Sequence, residues 1–258
     1  MITICYNAEN TIERTIKSIL NQKNEQVEYL LIDGASTDNT VAIAKKYESE
    51  IDIFISEKDK GIADAFNKGI LRAQGEFIGL INADDWLENG SINQLLESIS
   101  NKKEIDVFYG NLNSWRNGKV EFTAKANHRL LTKEMTLNHP ATFVRKTVYT
   151  QIGAFNTSYR CAMDYEFLLR TFTRGYRFFH LDQTLVNMSM EGFSDKYWFI
   201  GCQEVRKAKL ENGRSAFKAN AWFVRQVIAI LLVKSSLTLG LGSVLKIYRK
   251  HFAKVEKY

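Results

Sequence analysis

One proline, three cysteines and four histidines are all that 258 residues contain of the types that most often punctuate, cross-link or ligate. Cys5, Cys161 and Cys202 lack the paired spacing of a zinc or redox motif, so they predict isolated thiols in a reducing, cytoplasmic compartment. The N-terminus shows no basic segment followed by an apolar stretch and a small-residue cleavage site, which predicts a protein not exported by a signal peptide. Neither common glycine-rich phosphate loop is present. With 45% apolar and 25% charged residues, the composition excludes disorder, collagen-like repeats and a disulfide miniprotein.

Charge of one sign is also missing, except at one end. Residues 1–200 carry 23 Lys and Arg against 26 Asp and Glu, whereas residues 201–258 carry 12 against 3. The formal charge of +6 therefore belongs to the tail. Those basic residues flank an apolar block, Trp222–Leu245, instead of lining a groove, which argues against nucleic acid as a partner. Lys234 and Ser235–Ser236 fall mid-block, where a charge within a bilayer is costly, and Gly240 and Gly242 weaken a continuous helix. The reading is a basic amphipathic tail over 201–258, with helices lying in a membrane interface at the cytoplasmic face. The alternative is a helical hairpin packed on the rest of the chain or in a homodimer interface.

Short apolar runs alternate with helix-period segments from the start, which implies βαβ units and a largely parallel sheet. Strands are expected at Ile2–Tyr6, Val27–Ile32, Ile51–Ser56 and Glu76–Asn82, with helices near 10–20, 41–47, Gly61–Ala73 and Ser91–Ser100. Beyond residue 104 the rhythm predicts shorter strands (Asp106–Gly110, Lys119–Thr123, Thr142–Arg145, Phe178–Leu181) around a helix near Tyr165–Arg174. Nothing low in complexity separates the parts, so residues 1–200 are expected to form one domain of two halves, 1–103 and 104–200.

Adjacent carboxylates at Asp84 and Asp85 directly follow an apolar strand, a costly placement unless a cation neutralises them. With no nearby Cys or His, Mg²⁺ or Mn²⁺ is the fitting ion. Strand ends on one edge of an open α/β sheet share a crevice, which would gather Tyr6, Asp33, Asp64, Asp84 and Asp85. There the Tyr6 ring can stack on a base, and Asp33 or Asp64 can accept from a base or ribose.

These residues resemble a known family. Ile-Cys-Tyr6-Asn7, Ile-Asp33-Gly-Ala-Ser-Thr-Asp38, Asp59-Lys-Gly-Ile with Asn67-Lys-Gly69, and Asn82-Ala-Asp84-Asp85 resemble the nucleotide-sugar-binding half of family-two, inverting glycosyltransferases. His139-Pro-Ala-Thr-Phe resembles the acceptor-side strand of such enzymes, and Ala162-Met-Asp164-Tyr-Glu166 the segment that supplies their catalytic base. Gly192, in Met190–Ser194, resembles their nucleotide-covering loop. Two departures stand out: Asn82 replaces the Asp that often opens the metal motif, and Gly34 follows Asp33 where many members have a second Asp.

The resemblance implies an α/β, GT-A (Rossmann-like) fold with a central, mostly parallel mixed sheet flanked by helices, plus a helical tail. It also implies a UDP-sugar donor bound by Tyr6, Asn7, Glu9, Asp33, Asp64, Asn67 and Asp84, and a metal on Asp84 and Asp85. Asp164 is the expected base, with His139 and Glu166 on the acceptor side. The acceptor would be a saccharide or lipid-linked saccharide of a cell-surface polysaccharide. A nucleotidyltransferase of related fold and an inactive nucleotide-sugar-binding module are the competing readings.

Overall fold

The computed structural model describes residues 1–189 and 197–238. Its first half follows the expected alternation: β1 (Ile2–Cys5), α1 (Ile12–Leu20), β2 (Leu30–Asp33), α2 (Thr40–Lys45), β3 (Ile53–Ser56), α3 (Ile62–Arg72), β4 (Phe77–Asn82), the short β5 (Trp86–Leu87) and α4 (Ser91–Asn101). The second half comprises β6 (Val107–Arg116), β7 (Lys119–Ala124), β8 (Thr142–Arg145), α5 (Lys146–Ile152), α6 (Met163–Thr173), β9 (Phe178–Ser189), α7 (Trp198–Glu211) and α8 (Ala216–Thr238).

All nine strands form one sheet in the order β3-β2-β1-β4-β8-β6-β9-β5, with β7 paired to β6. The pairs β3-β2, β2-β1 and β1-β4 are parallel, β8 is antiparallel to both β4 and β6, and β6 and β9 are again parallel. Because β2 and β4 flank β1, the chain turns to opposite sides at the carboxyl end of β1. That is the switch point at which open α/β sheets bind ligands.

Each face of the sheet carries its own core. Ile12, Ile16 and Ile19 of α1 pack with Ile92 and Leu95 of α4 on one face. Phe66 and Ile70 of α3 pack with Tyr165, Phe167 and Leu168 of α6 on the other. Both faces of β1 and β2 are therefore buried, which is why these strands read as continuous apolar runs instead of alternating.

The second half departs from the sequence reading. β6 and β9 span 10 and 12 residues, far past the expected ends at Gly110 and Leu181. Asn and Asp residues break the apolar pattern there, but they pair across the ladder: Asn111 Nδ2 donates to Asp182 Oδ1 (3.1 Å), and Asn113 Nδ2 and Trp115 Nε1 donate to Asn187 Oδ1 (3.2 and 2.6 Å). Partners some seventy residues away satisfy groups that locally look like strand breakers.

The division expected at residue 200 is not visible as a break. α7 packs on α6, Ala208 is fully buried in the main core, and Tyr159 Oη donates to Glu211 (2.6 Å). α7 and α8 pack on each other as a helical hairpin. Its helix α8 runs unbroken through Lys234 and Ser235. Ser236 Oγ donates to Leu232 O (2.8 Å), and the Lys234 ammonium sits 4.7 Å from the Trp198 ring centroid. The anticipated weak points Gly240 and Gly242, and the loop around Gly192, lie outside the described residues.

Candidate active site

The site is assembled where β1, β2 and β4 end. Past β1, Tyr6 is 62% exposed, and Asn7 adopts a left-handed backbone (φ 48). The turn after β2 contains a second left-handed residue, Ala35 (φ 63), a conformation that costs a residue with a Cβ about 1 kcal/mol. A zipper between the two turns holds both in place. Asn7 N–H donates to Ser36 Oγ (2.8 Å), Thr37 N–H to Asn7 Oδ1 (2.8 Å), and Glu9 N–H to Asp38 Oδ2 (3.1 Å). Asn39 returns two bonds to Glu9 Oε2 (3.0 and 2.8 Å).

That zipper revises the expected roles of several residues. Asp33 is fully buried and accepts from Ser36 N–H (3.0 Å), Ser36 Oγ and Ser56 Oγ (2.6 Å), so it holds the turn and presents no oxygen to a base. Glu9 is likewise taken up by the start of α2. Asn67 makes a two-way clasp with the Phe155 backbone (2.9 and 3.0 Å), joining α3 to the loop that leads to α6. Asp64 accepts from Lys60 N–H (3.0 Å) at the entry of α3 and lies 3.8 Å from Lys68 Nζ. In each case the carboxylate or amide meets a local or distant protein donor that sequence spacing does not disclose.

One residue not singled out in the sequence is brought to the site. A Cβ placed on Gly34 would run into the Asp59 carboxylate and touch the Tyr6 ring. Tyr6 and Asp59 therefore flank a slot floored by bare backbone. Asp59 is oriented by Gly61 N–H (2.8 Å to Oδ1) at a turn where Gly61 has φ 115. Its sequence signal was the Asp-Lys-Gly turn itself.

At the end of β4 the two carboxylates are unlike. Asp85 is 1% exposed; Asn82 Nδ2 (3.1 Å) and Ser189 N–H (3.2 Å) donate to its two oxygens. Burial, and then the neighbouring charge of Asp84, push its carboxyl well above the usual range. Asp84 is half-buried, and its own backbone N–H donates to its carboxylate. Burial raises its pKa too, with Arg14 and His139 drawing it back. Arg14, another residue that sequence reasoning missed, donates to Asp84 O (2.8 Å) and stacks 3.6 Å over the Trp86 ring. Thr15 Oγ1 fixes the same turn through Ala83 O and Asp85 O (2.9 and 2.6 Å).

Among the described residues no three His, Cys, Asp or Glu side chains form a metal cage. A half-buried carboxylate of raised pKa, with a second one behind it, nevertheless suits a hard divalent cation. Such ions commonly take one or two protein carboxylates and complete their shell with phosphate oxygens and water.

The acceptor-side segment closes the site. His139 lies in a 3₁₀ turn (His139–Ala141) ahead of β8, with its Nδ1 3.4 Å from Asp164 Oδ2 and its ring edge-on to Phe66. Its Nε2 is buried and has no partner among the described residues. Asp164, 22% exposed, is in the first turn of α6. Three N–H groups just before it (Arg160, Cys161, Ala162) donate to Glu204 of α7 at 2.7–2.9 Å, so a helix from the supposed tail fixes the Asp164 turn. Glu166, two residues on, is 4% exposed and forms a two-pronged pair with Arg170 (2.8 and 3.1 Å). It is removed from the acceptor side as a structural ion pair.

The sheet switch point thus carries an exposed aromatic, Tyr6, the half-buried Asp84 and, across from them, the helix-borne Asp164. The model of glycosyl transferase family 2 matches residues 1–169, and the chain belongs to that family. An uncharacterized glycosyltransferase of Mycobacterium tuberculosis is 28% identical over 179 residues, covering 66% of this chain and 67% of that protein. Chondroitin synthase of Escherichia coli is 27% identical over 216 residues, 80% of this chain but 31% of its own length. Among solved structures, S. aureus TarS 1–349 in complex with UDP superposes with a TM-score of 0.65 at 18% identity, covering 88% of this chain and 69% of that one. The mannosyltransferase PcManGT from Pyrobaculum calidifontis, in complex with GDP-Man and Mn²⁺, superposes at 0.68 and 16% identity over 96% and 80%. The fold is GT-A, as expected, and the protein is a glycosyltransferase.

Proposed function

We propose that this glycosyltransferase moves a sugar from a UDP-sugar onto a saccharide or lipid-linked saccharide acceptor of a cell-surface polysaccharide, with inversion and a divalent cation, Mn²⁺ or Mg²⁺. The observation that carries it is the convergence of Asp84 and Asp164 on His139: one carboxylate suited to the phosphate side, the other to the hydroxyl side. The Tyr6 ring stacks on the base and Asp59 accepts from it across Gly34. When bound at Asp84, the cation offsets charge on the departing diphosphate.

Asp164 removes the proton from the attacking hydroxyl, and that oxygen displaces the diphosphate at the anomeric carbon in one step. His139, with Nδ1 3.4 Å from Asp164 Oδ2, and the Glu204-capped turn hold the carboxylate in line. Solved structures of the same fold in complex with UDP and with GDP-Man support a nucleotide-sugar donor. The exposed apolar face of α8 and the charge of the tail support attachment at the cytoplasmic membrane surface. Metal-dependent release of UDP from UDP-sugars is the test. Asp164→Asn is expected to lower it by about 10²-fold or more while UDP binding persists; undiminished release, or a preference for GDP-sugars, defeats the reading.

A further inference from the structure

Around the turn between α7 and α8 lies a cavity of about 310 Å³ that the catalytic site does not use. Lys133, Lys209, Arg214, Lys218 and Arg225 line it, against one carboxylate, Glu134. Two buried N–H donors belong to its wall and have no partner among the described residues: Arg214 Nε and Trp222 Nε1. Unsatisfied buried donors each cost about 1–3 kcal/mol, so two of them beside five cations leave this wall in want of an acceptor. Lys209 Nζ is turned away to Thr132 O and Lys133 O (3.3 and 2.6 Å), which braces the wall.

The cavity is not closed on the α8 side. Phe217, Ala221 and Arg225 belong both to it and to an apolar groove that continues along Val224 and Ile228. Phe217 is 82% exposed, and Val224 and Ile228 are each more than half exposed. A free phosphate would use the donors and leave the groove bare; a fatty chain would use the groove and leave the donors unpaired. We infer that this cavity and groove together bind a phosphate-headed lipid, with Arg214 and Trp222 donating to the phosphate and Phe217, Val224 and Ile228 holding the adjoining chain.

The inference deepens the membrane reading above and rests on it, since that reading needs only an apolar face and diffuse charge. The test is sedimentation of the full chain with phosphatidylcholine vesicles, with and without phosphatidic acid, beside calorimetry with dihexanoyl phosphatidic acid and with inorganic phosphate. The wild type is expected to prefer vesicles containing phosphatidic acid. The Arg214→Gln/Trp222→Phe double variant is expected to lose about tenfold of that preference, to bind phosphatidylcholine as before, and to release UDP at the wild-type rate.

Trp222→Phe alone keeps a ring beneath Lys209 and guards against a folding artefact; it is expected to show a smaller loss in the same direction. A double variant that keeps the full preference, or a wild type indifferent to phosphatidic acid, overturns the pocket and leaves the membrane reading standing. A wild type that sediments with neither vesicle overturns both. Inorganic phosphate binding as tightly as the short-chain lipid removes the groove from the site and overturns the lipid assignment.

Discussion

At the residue scale, Gly34 shows how little a sequence says about space. It stands where many members of the family have a second Asp, and here the Asp59 carboxylate and the Tyr6 ring close in on the space a side chain would take. A methyl group there must displace the Asp59 carboxylate. Gly34→Ala is therefore expected to weaken UDP binding by about tenfold with little change in melting temperature, as read by calorimetric titration and thermal unfolding; unchanged affinity would remove the slot from the site. The places of Tyr6, Asp84 and Asp164 in the fold were legible because each follows an apolar run or opens a helix. Asp33, Asn67 and Glu166 were not, because their partners Ser56, Phe155 and Arg170 determine whether a polar side chain is a tool or a strut.

At the scale of elements, α7 changes meaning once it is packed. By composition it belongs to a basic tail, but Glu204 caps the turn before Asp164, and Lys209 is buried against backbone carbonyls. Burial first, then the nearby Arg214, draws the Lys209 pKa from 10.5 down to about 8. Below pH 8 the lysine is protonated whether the chain is folded or not. Between about 8 and 10.5 the unfolded chain holds more protons, so the native state gains stability as pH rises. Urea unfolding of wild type against Lys209→Met is expected to show the wild type gaining relative stability over that interval, and a flat difference would contradict the burial. The long pair of β6 and β9 teaches the same lesson: strands interrupted by asparagines persist when the asparagines bond to each other across the ladder.

Over the whole molecule, a slightly acidic sheet domain is tied to a basic hairpin whose two helices have different tasks. Ending the chain after Gly213 removes α8 and keeps α7, and is expected to leave a cooperatively folded protein that still releases UDP but no longer sediments with vesicles. Ending it after Ser189 also removes Glu204, Ala208 and Glu211, and is expected to abolish cooperative unfolding, since a cap on three N–H groups and a stretch of the main core leave together. Circular dichroism melts of both truncations check this; a stable shorter form would restore the boundary at residue 200 that composition suggested.

The sequence by itself determined the βαβ alternation and the family, because these follow from local periodicity and from short motifs at strand ends. Only the tertiary structure decided which acidic residues are open and which are already engaged, and that a helix of the basic tail steadies the Asp164 turn. Those outcomes depend on burial and on hydrogen-bond partners tens of residues away, which local pattern does not encode.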